Sequence, residues 1–199
     1  MSDENEIVLK NAKIHFKGVL FIGKTGVGKS STINSLLGNE CLKVDDLEPC
    51  TKRVCLETFF LGGNYYWGVA DMPGIGETEE ADGYYYQLYK MMLNKSDCVV
   101  HVLCLNDRAW KDDLEIYDRL DINKSRVVFA LNQIDIIERG GSVCEDLINE
   151  KIDAVKNRFD AKIVIPYLTR KYMGSKTKNY NCGINRLKDA IESVVCGQI

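Results

Sequence analysis

No run of apolar residues in this sequence approaches the roughly 20 needed to cross a bilayer. The opening stretch, MSDENEIVLK, is acidic where a secretory signal is basic. These absences argue against a membrane-spanning or exported chain, and we expect a cytoplasmic one. Basic charge is not in excess either: 26 Lys and Arg stand against 29 Asp and Glu, a formal net charge of -3. The whole chain therefore gives no direct signal for nucleic acid or an anionic membrane, although a local basic patch stays open. Its eight cysteines form no C-x-x-C pair and are too sparse in 199 residues for a disulfide scaffold, which fits reduced thiols. Histidine occurs only twice, and neither His15 nor His101 has a second ligand at metal spacing, so packing is the simpler reading of both. No repeat or low-complexity stretch interrupts the chain.

What is present is an alternation. Short apolar runs rich in β-branched residues alternate with longer amphipathic segments, the pattern of strand-helix-strand units around a buried, mostly parallel sheet. With 45% hydrophobic residues, the chain suits one α/β domain over 1–199, with 1–14 as an N-terminal extension. Strands are predicted at 19–22, 55–61, 65–70, 98–104, 126–131 and 162–165. Only Gly62, Gly63 and Asn64 separate the second from the third, so these two should form a hairpin with one strand antiparallel to the rest. Helices are predicted after Lys29 and near 84–92, 111–120, 143–159 and 184–196. Segment 6–14 reads equally as strand or helix. Asp107 reads as a helix cap, and Lys111, Asp112 and Asp113 as a solvated face.

The chemistry begins after the first strand with Gly23, Lys24, Thr25, Gly26, Val27, Gly28, Lys29 and Ser30, the phosphate-binding loop pattern in a strand-to-helix setting. Its glycines let backbone wrap closely around phosphates. The amides of Gly26 through Ser31 would point inward at a helix N-terminus, where the dipole favours anions. Lys29 would bridge the terminal phosphates, and Ser30 would give its hydroxyl to magnesium. The bland alternative, a glycine-rich turn that only caps a helix, is disfavoured by the strand before it and the helix after it.

Asp71, Met72, Pro73 and Gly74 follow at the end of the hairpin's second strand. There a carboxylate would sit beside the phosphate loop and hold magnesium through water. The Gly74 amide would contact a third phosphate, whose loss would release the loop that follows. Alone, such a run is most often a turn. Asn132, Gln133, Ile134 and Asp135 close the strand at 126–131. The Asp135 carboxylate would accept from both the ring N–H and the exocyclic amino group of guanine, a donor pair that adenine does not display, so such a site selects guanine strongly.

With these three motifs in this order, the sequence resembles the P-loop GTPases of the translation-factor-related class, above all the bacterial Era-like GTPases, over nearly the whole chain. The stretch GKTGVGKSST is also similar to the phosphate loop of septin-like, immunity-associated and chloroplast-import GTPases. The resemblance implies a three-layer fold with a six-stranded, mostly parallel sheet, one antiparallel edge strand and about five helices. It implies GTP or GDP with Mg2+ as ligands, and hydrolysis of GTP to GDP and phosphate that is slow or stimulated. It also implies a switch threonine between the phosphate loop and the hairpin, a place that Thr51 fills within Pro49, Cys50, Thr51, Lys52 and Arg53. The implied catalytic set is Lys29, Thr51 and Gly74, and the implied magnesium set is Ser30, Thr51 and Asp71. Leu168 and Thr169 stand where the family contacts the guanine oxygen through backbone.

Three departures matter. Gln133 replaces the family's base-stacking lysine, keeping an aliphatic stem but no charge, which implies modest affinity. Tyr167, Leu168, Thr169 and Arg170 lack the usual Ser-Ala. Ile75 stands where Ras-like GTPases carry a water-orienting glutamine, which leaves backbone-held water, Glu77 or a partner's arginine to position the nucleophile. Septin-like pairing implies a GTP-dependent homodimer, and the switch implies a protein effector. Tyr84, Tyr85 and Tyr86 read mainly as helix packing, with a nucleotide-dependent contact surface as the sharper alternative. The competing function is a GTP-binding assembly module with negligible turnover. An ATP-dependent enzyme is disfavoured because it leaves Asn132 and Asp135 unexplained.

Overall fold

Strands of this chain alternate their side chains between two helical layers. In the second strand, Leu20 and Ile22 point into one core and Val19 and Phe21 into the other, all with 1% exposure or less. The computed structural model describes residues 6–9, 12–38, 42, 55–62, 65–75, 79–107, 109–133, 145–169 and 183–198. The strands are β1 (Glu6–Leu9), β2 (Ala12–Ile22), β3 (Cys55–Gly62), β4 (Tyr65–Asp71), β5 (Cys98–Cys104), β6 (Val127–Asn132) and β7 (Val164–Pro166). The helices among the described residues are α1 (Lys29–Leu37), α2 (Glu79–Leu93), α3 (Lys111–Leu120), α4 (Glu145–Phe159) and α5 (Gly183–Val195).

The strand order is β3-β4-β2-β5-β6-β7. β2 pairs in parallel with β4 and β5, and β5-β6-β7 continue in parallel. β3 is the antiparallel edge, with Cys55 opposite Asp71. The expected six-stranded, mostly parallel sheet is therefore present in β2 to β7, with five flanking helices among the described residues, and β1 makes the sheet seven-stranded. In segment 6–14, open between strand and helix in the sequence, the described residues are strand: β1 pairs antiparallel with the start of β2, Glu6 opposite His15. His15 also pairs with Tyr65 of β4, so β1 lies on the β5 side of β2, below the point where β5 begins to pair at Val19.

β6 is buried along its whole length and β5 nearly so, as parallel strands covered on both faces must be. Beneath α2, α3 and α4 lies a core built on Met72, Tyr89, Trp110, Phe129 and Phe159; beneath α1 and α5 lies one built on Ile33, Trp67, Val100, Leu187 and Ile191. Each such side chain stabilises the fold by about 1.5–3 kcal/mol through burial. His101 belongs to the first core: fully buried, it stacks on Phe129 at 5.4 Å between centroids. Its Nε2 lies 3.5 Å from Asp113 Oδ1. Asp113 thus departs from the solvated face expected of Lys111, Asp112 and Asp113. Helical periodicity puts it on the inner face with Ile116, Tyr117 and Leu120, and only its two neighbours face outward. Among the described residues no helix is long and apolar enough to cross a membrane. Cys98, Cys104 and Cys196 are free thiols, and burial pushes the Cys98 thiol up.

Gly68 in β4 offers a test of backbone entropy in this fold. A Cβ added there meets nothing within 4 Å, so Gly68→Ala narrows the unfolded ensemble without a clash in the folded one. We expect a gain of about 0.4–1 kcal/mol, read in a thermal melt as a rise of roughly 1–4 °C for a domain of this size. A fall would mean that the open space above Gly68 is needed.

Candidate functional site

The C-terminal ends of β2, β4 and β6 meet at one rim of the sheet, and the three motifs sit on those ends. Between β2 and α1 the chain turns through three glycines with positive φ: Gly23 at 140°, Gly26 at 80° and Gly28 at 92°. Two are also fixed by close approach. A Cβ on Gly23 would lie 2.5 Å from the Val102 carbonyl oxygen, and one on Gly28 would overlap the Asn132 amide. α1 then starts at Lys29, and the Thr32 amide and hydroxyl both donate to the Gly28 carbonyl, at 2.9 and 2.6 Å. The Lys29 ammonium, 6% exposed, donates to the carbonyls of Gly23 at 3.1 Å and Lys24 at 2.8 Å.

Ser30, in the first turn of α1, donates its hydroxyl to Asp71 Oδ2 at 2.6 Å. Two of the three expected magnesium ligands therefore stand in contact, Asp71 with 1% exposure. Their donors are hard oxygens, the set Mg2+ prefers, and one hydroxyl with one carboxylate leaves most of an octahedral shell to phosphates and water. The residues fit that ion.

Beyond Asp71 the chain lies flat on the phosphate loop. The Thr25 amide donates to the Ile75 carbonyl at 3.2 Å. Gly74 has no room for a side chain, since its Cβ would sit 2.6 Å from the Thr25 nitrogen. The Pro73 carbonyl accepts from the Tyr89 hydroxyl at 2.6 Å, and burial pushes that phenol well above its ordinary pKa. Ile75 is 4% exposed and packs in the core with Met72, Tyr85 and Tyr89. At this position the chain anchors the loop with an apolar side chain. Tyr85 and Tyr86 are buried, whereas Tyr84 is 64% exposed, so packing accounts for two of the three tyrosines.

On the base side, Asn132 is 3% exposed and donates through Nδ2 to the Val27 carbonyl at 3.0 Å, bracing the phosphate loop from β6. Gln133, with φ at 64°, donates to the Gly26 carbonyl at 3.4 Å and accepts from the Cys104 thiol at 2.7 Å. Thr51 and Asp135 lie outside the described residues. Leu168 is buried after β7, and the Thr169 carbonyl accepts from Ser35 in α1 at 3.2 Å. Gly23 through Ser31, Asp71, Gly74, Asn132 and Gln133 thus form one connected surface, which Thr169 reaches through Ser35 of α1, whereas Leu168 packs in the core beneath α2, α3 and α4.

Sequence reasoning missed several ties. Tyr167 shares a 2.6 Å hydrogen bond with Thr32, joining β7's exit to α1. Lys24 forms ion pairs with Asp112 at 2.9 Å and Asp107 at 3.3 Å. Burial works against the charged form of Lys24, but those carboxylates outweigh it and raise its pKa. Burial likewise pushes the Asp107 carboxyl up, yet the amides of Ala109 and Trp110, followed by Lys24, hold it below its ordinary value. Those amides donate to Asp107 Oδ1 at 3.1 and 3.2 Å. Asp107 therefore caps the turn ahead of α3 and not the helix itself, whose N-cap residue is Trp110.

The family model described as 50S ribosome-binding GTPase matches residues 18–133, which carry the phosphate loop, Asp71–Gly74 and the start of the third motif. The uncharacterised protein YfjP of Escherichia coli K12 is 32% identical over 138 residues, 67% of this chain and 48% of that protein. The structure of Toc33 from Arabidopsis thaliana in complex with GDP and Mg2+ is similar with a TM-score of 0.72 at 20% identity, covering 92% of this chain and 85% of that one. Era in complex with MgGDPNP and nucleotides 1506–1542 of 16S ribosomal RNA is similar at 0.70 and 20% identity, covering 90% and 57%. These two are likenesses of fold. Because one of them holds RNA, the charge balance of this chain gives no ground for excluding nucleic acid. The chain spans about half the length of the curated relatives it matches. Three motifs on one sheet rim and a family match over more than half of the sequence lead to one assignment: the chain belongs to the 50S ribosome-binding GTPase family.

Proposed function

We propose that this chain binds GTP and GDP with Mg2+, hydrolyses GTP slowly unless dimerisation or a partner stimulates it, and acts as a nucleotide-dependent switch. The observation that carries this reading is the 2.6 Å contact between Ser30 and Asp71 beside a loop whose Lys29 is already gathered onto its own carbonyls. In the nucleotide complex the amides of Gly26 to Ser31 face the phosphates and the Lys29 ammonium moves onto the terminal ones. Ser30 and Asp71 would hold the metal. When bound, Mg2+ neutralises charge on the phosphate oxygens. Thr51 closes over the third phosphate, and the Gly74 amide donates to it. Gln133 lays its aliphatic stem over the purine, Asp135 reads guanine, and the backbone at Leu168 and Thr169 meets the guanine oxygen.

Hydrolysis by such a site is positioning and electrostatics. The buried Ile75 has no polar group to hold the attacking water, which favours a slow intrinsic rate. That same observation supports a second reading, an assembly module with negligible turnover. For the chloroplast proteins atToc33 and psToc159, dimerisation is important for GTPase activity. A GTP-dependent homodimer of this chain would supply the missing group, and turnover per molecule then rises with protein concentration. A cytoplasmic location and a protein effector belong to the same reading.

Phosphate release measured against Mg2+ concentration tests it. Asp71→Asn should raise the Mg2+ requirement by about tenfold, since removing one charged metal partner typically costs affinity on that scale, while GDP binding without the metal is nearly unchanged. An unchanged Mg2+ requirement would remove Asp71 from the metal site. Less than one phosphate released per bound GTP at every protein concentration favours the assembly module.

A further inference from the structure

Lys24 lies inside the phosphate loop, yet its ammonium is already engaged by two carboxylates, Asp112 in the first turn of α3 at 2.9 Å and Asp107 in the segment joining β5 to α3 at 3.3 Å. Its backbone ties two other parts of the site together. The Lys24 carbonyl accepts from the Lys29 ammonium at 2.8 Å, and Lys24 forms a β-bridge with Ile75, next to Gly74. The far end of this clamp is itself fixed. Asp107 is tied to the amides of Ala109 and Trp110, its carbonyl accepts from Lys151 of α4 at 2.9 Å, and the Trp110 indole donates to the Cys104 carbonyl of β5 at 2.8 Å.

We propose that Lys24 is a positioning residue: held by Asp107 and Asp112, it sets the loop carbonyl that aims Lys29, and so couples the first turn of α3 to recognition of the terminal phosphate. The inference rests on the guanine-nucleotide reading above. Two carboxylates on one ammonium leave no net positive charge to offer a phosphate, so the side chain acts through its own backbone. Each pair alone is modest, because Lys24 is 27% and Asp112 61% exposed. Their effect is exerted through a loop in which small displacements of Lys29 change contact with the terminal phosphates, of which the third is present in the triphosphate alone.

The test compares affinity for GDP and for a non-hydrolysable GTP analogue in Mg2+, with thermal melts to verify folding. The variants are Lys24→Met, which keeps the aliphatic stem, Lys24→Arg, Asp112→Asn, and Lys24→Met combined with Asp112→Asn. The preference for the triphosphate should fall about fivefold in Lys24→Met and by a similar factor in Asp112→Asn. It should fall no further in the double variant, and Lys24→Arg should keep it. A fall in Lys24→Met with no change or a gain in Asp112→Asn would mean that Lys24 touches phosphate directly, and this overturns the clamp. An unmoved ratio in both single variants overturns it as well. Failure of the unsubstituted chain to bind guanine nucleotide would instead overturn the reading beneath it, and the clamp with it.

Discussion

Gly28→Ala is expected to lower the melting temperature by about 4–20 °C and to abolish tight nucleotide binding. Gly28 has φ at 92°, a conformation that costs a residue with a Cβ about 1–2 kcal/mol. The added methyl would also overlap the Asn132 amide, which braces the loop through the Val27 carbonyl. Displacing that buried side chain leaves a donor and an acceptor unpaired, at roughly 1–3 kcal/mol. The sum, about 2–5 kcal/mol, converts at roughly 2–4 °C per kcal/mol for a domain of this size. Gly26→Ala separates the two causes. Gly26 has φ at 80° but nothing within 4 Å of an added Cβ, so it should lose only the conformational part. Equal losses in the two variants would mean that Asn132 gives way freely and does not brace the loop.

Asp135→Asn should weaken guanine-nucleotide binding by about 100- to 1,000-fold and shift preference to xanthosine nucleotides. The side chain of Asn132 is committed to the phosphate loop and that of Gln133 to Gly26 and Cys104. Within the third motif this leaves the carboxylate of Asp135 to read the base. A carboxylate accepting two hydrogen bonds from guanine discriminates strongly because its loss leaves both donors facing an amide of mixed polarity. Xanthine replaces the exocyclic amino group with a carbonyl, which an asparagine NH2 can meet. Competition titrations with GDP and XDP check this. Guanine affinity that survives the substitution would assign base selection to the backbone at Leu168 and Thr169.

Much of this architecture is written locally in the sequence. Phosphate loops need glycine where φ is positive or backbone comes close, and Gly23, Gly26 and Gly28 stand at those places. Parallel strands buried on both faces read as continuous apolar runs, which is why β5 and β6 are found to within a residue. What is not legible is whatever depends on a partner far along the chain. The Lys24–Asp107 pair spans 83 residues and the Tyr167–Thr32 bond 135, and no periodicity encodes either. Asp113 misleads because three consecutive charges look solvated until the helix phase turns one of them inward. Ile75 reads as a missing catalytic group in sequence, whereas in the fold its side chain is a core anchor. The strand of β1 is settled only by pairing with β2, so segment 6–14 carries no decisive local signal.

The most direct measurement is a titration of the purified, nucleotide-stripped protein with fluorescent GDP, GTP and ATP in Mg2+. Guanine nucleotides should bind, with ATP weaker by at least about a hundredfold. Equal binding of ATP, or binding of none of the three, would contradict a guanine-nucleotide function for this chain.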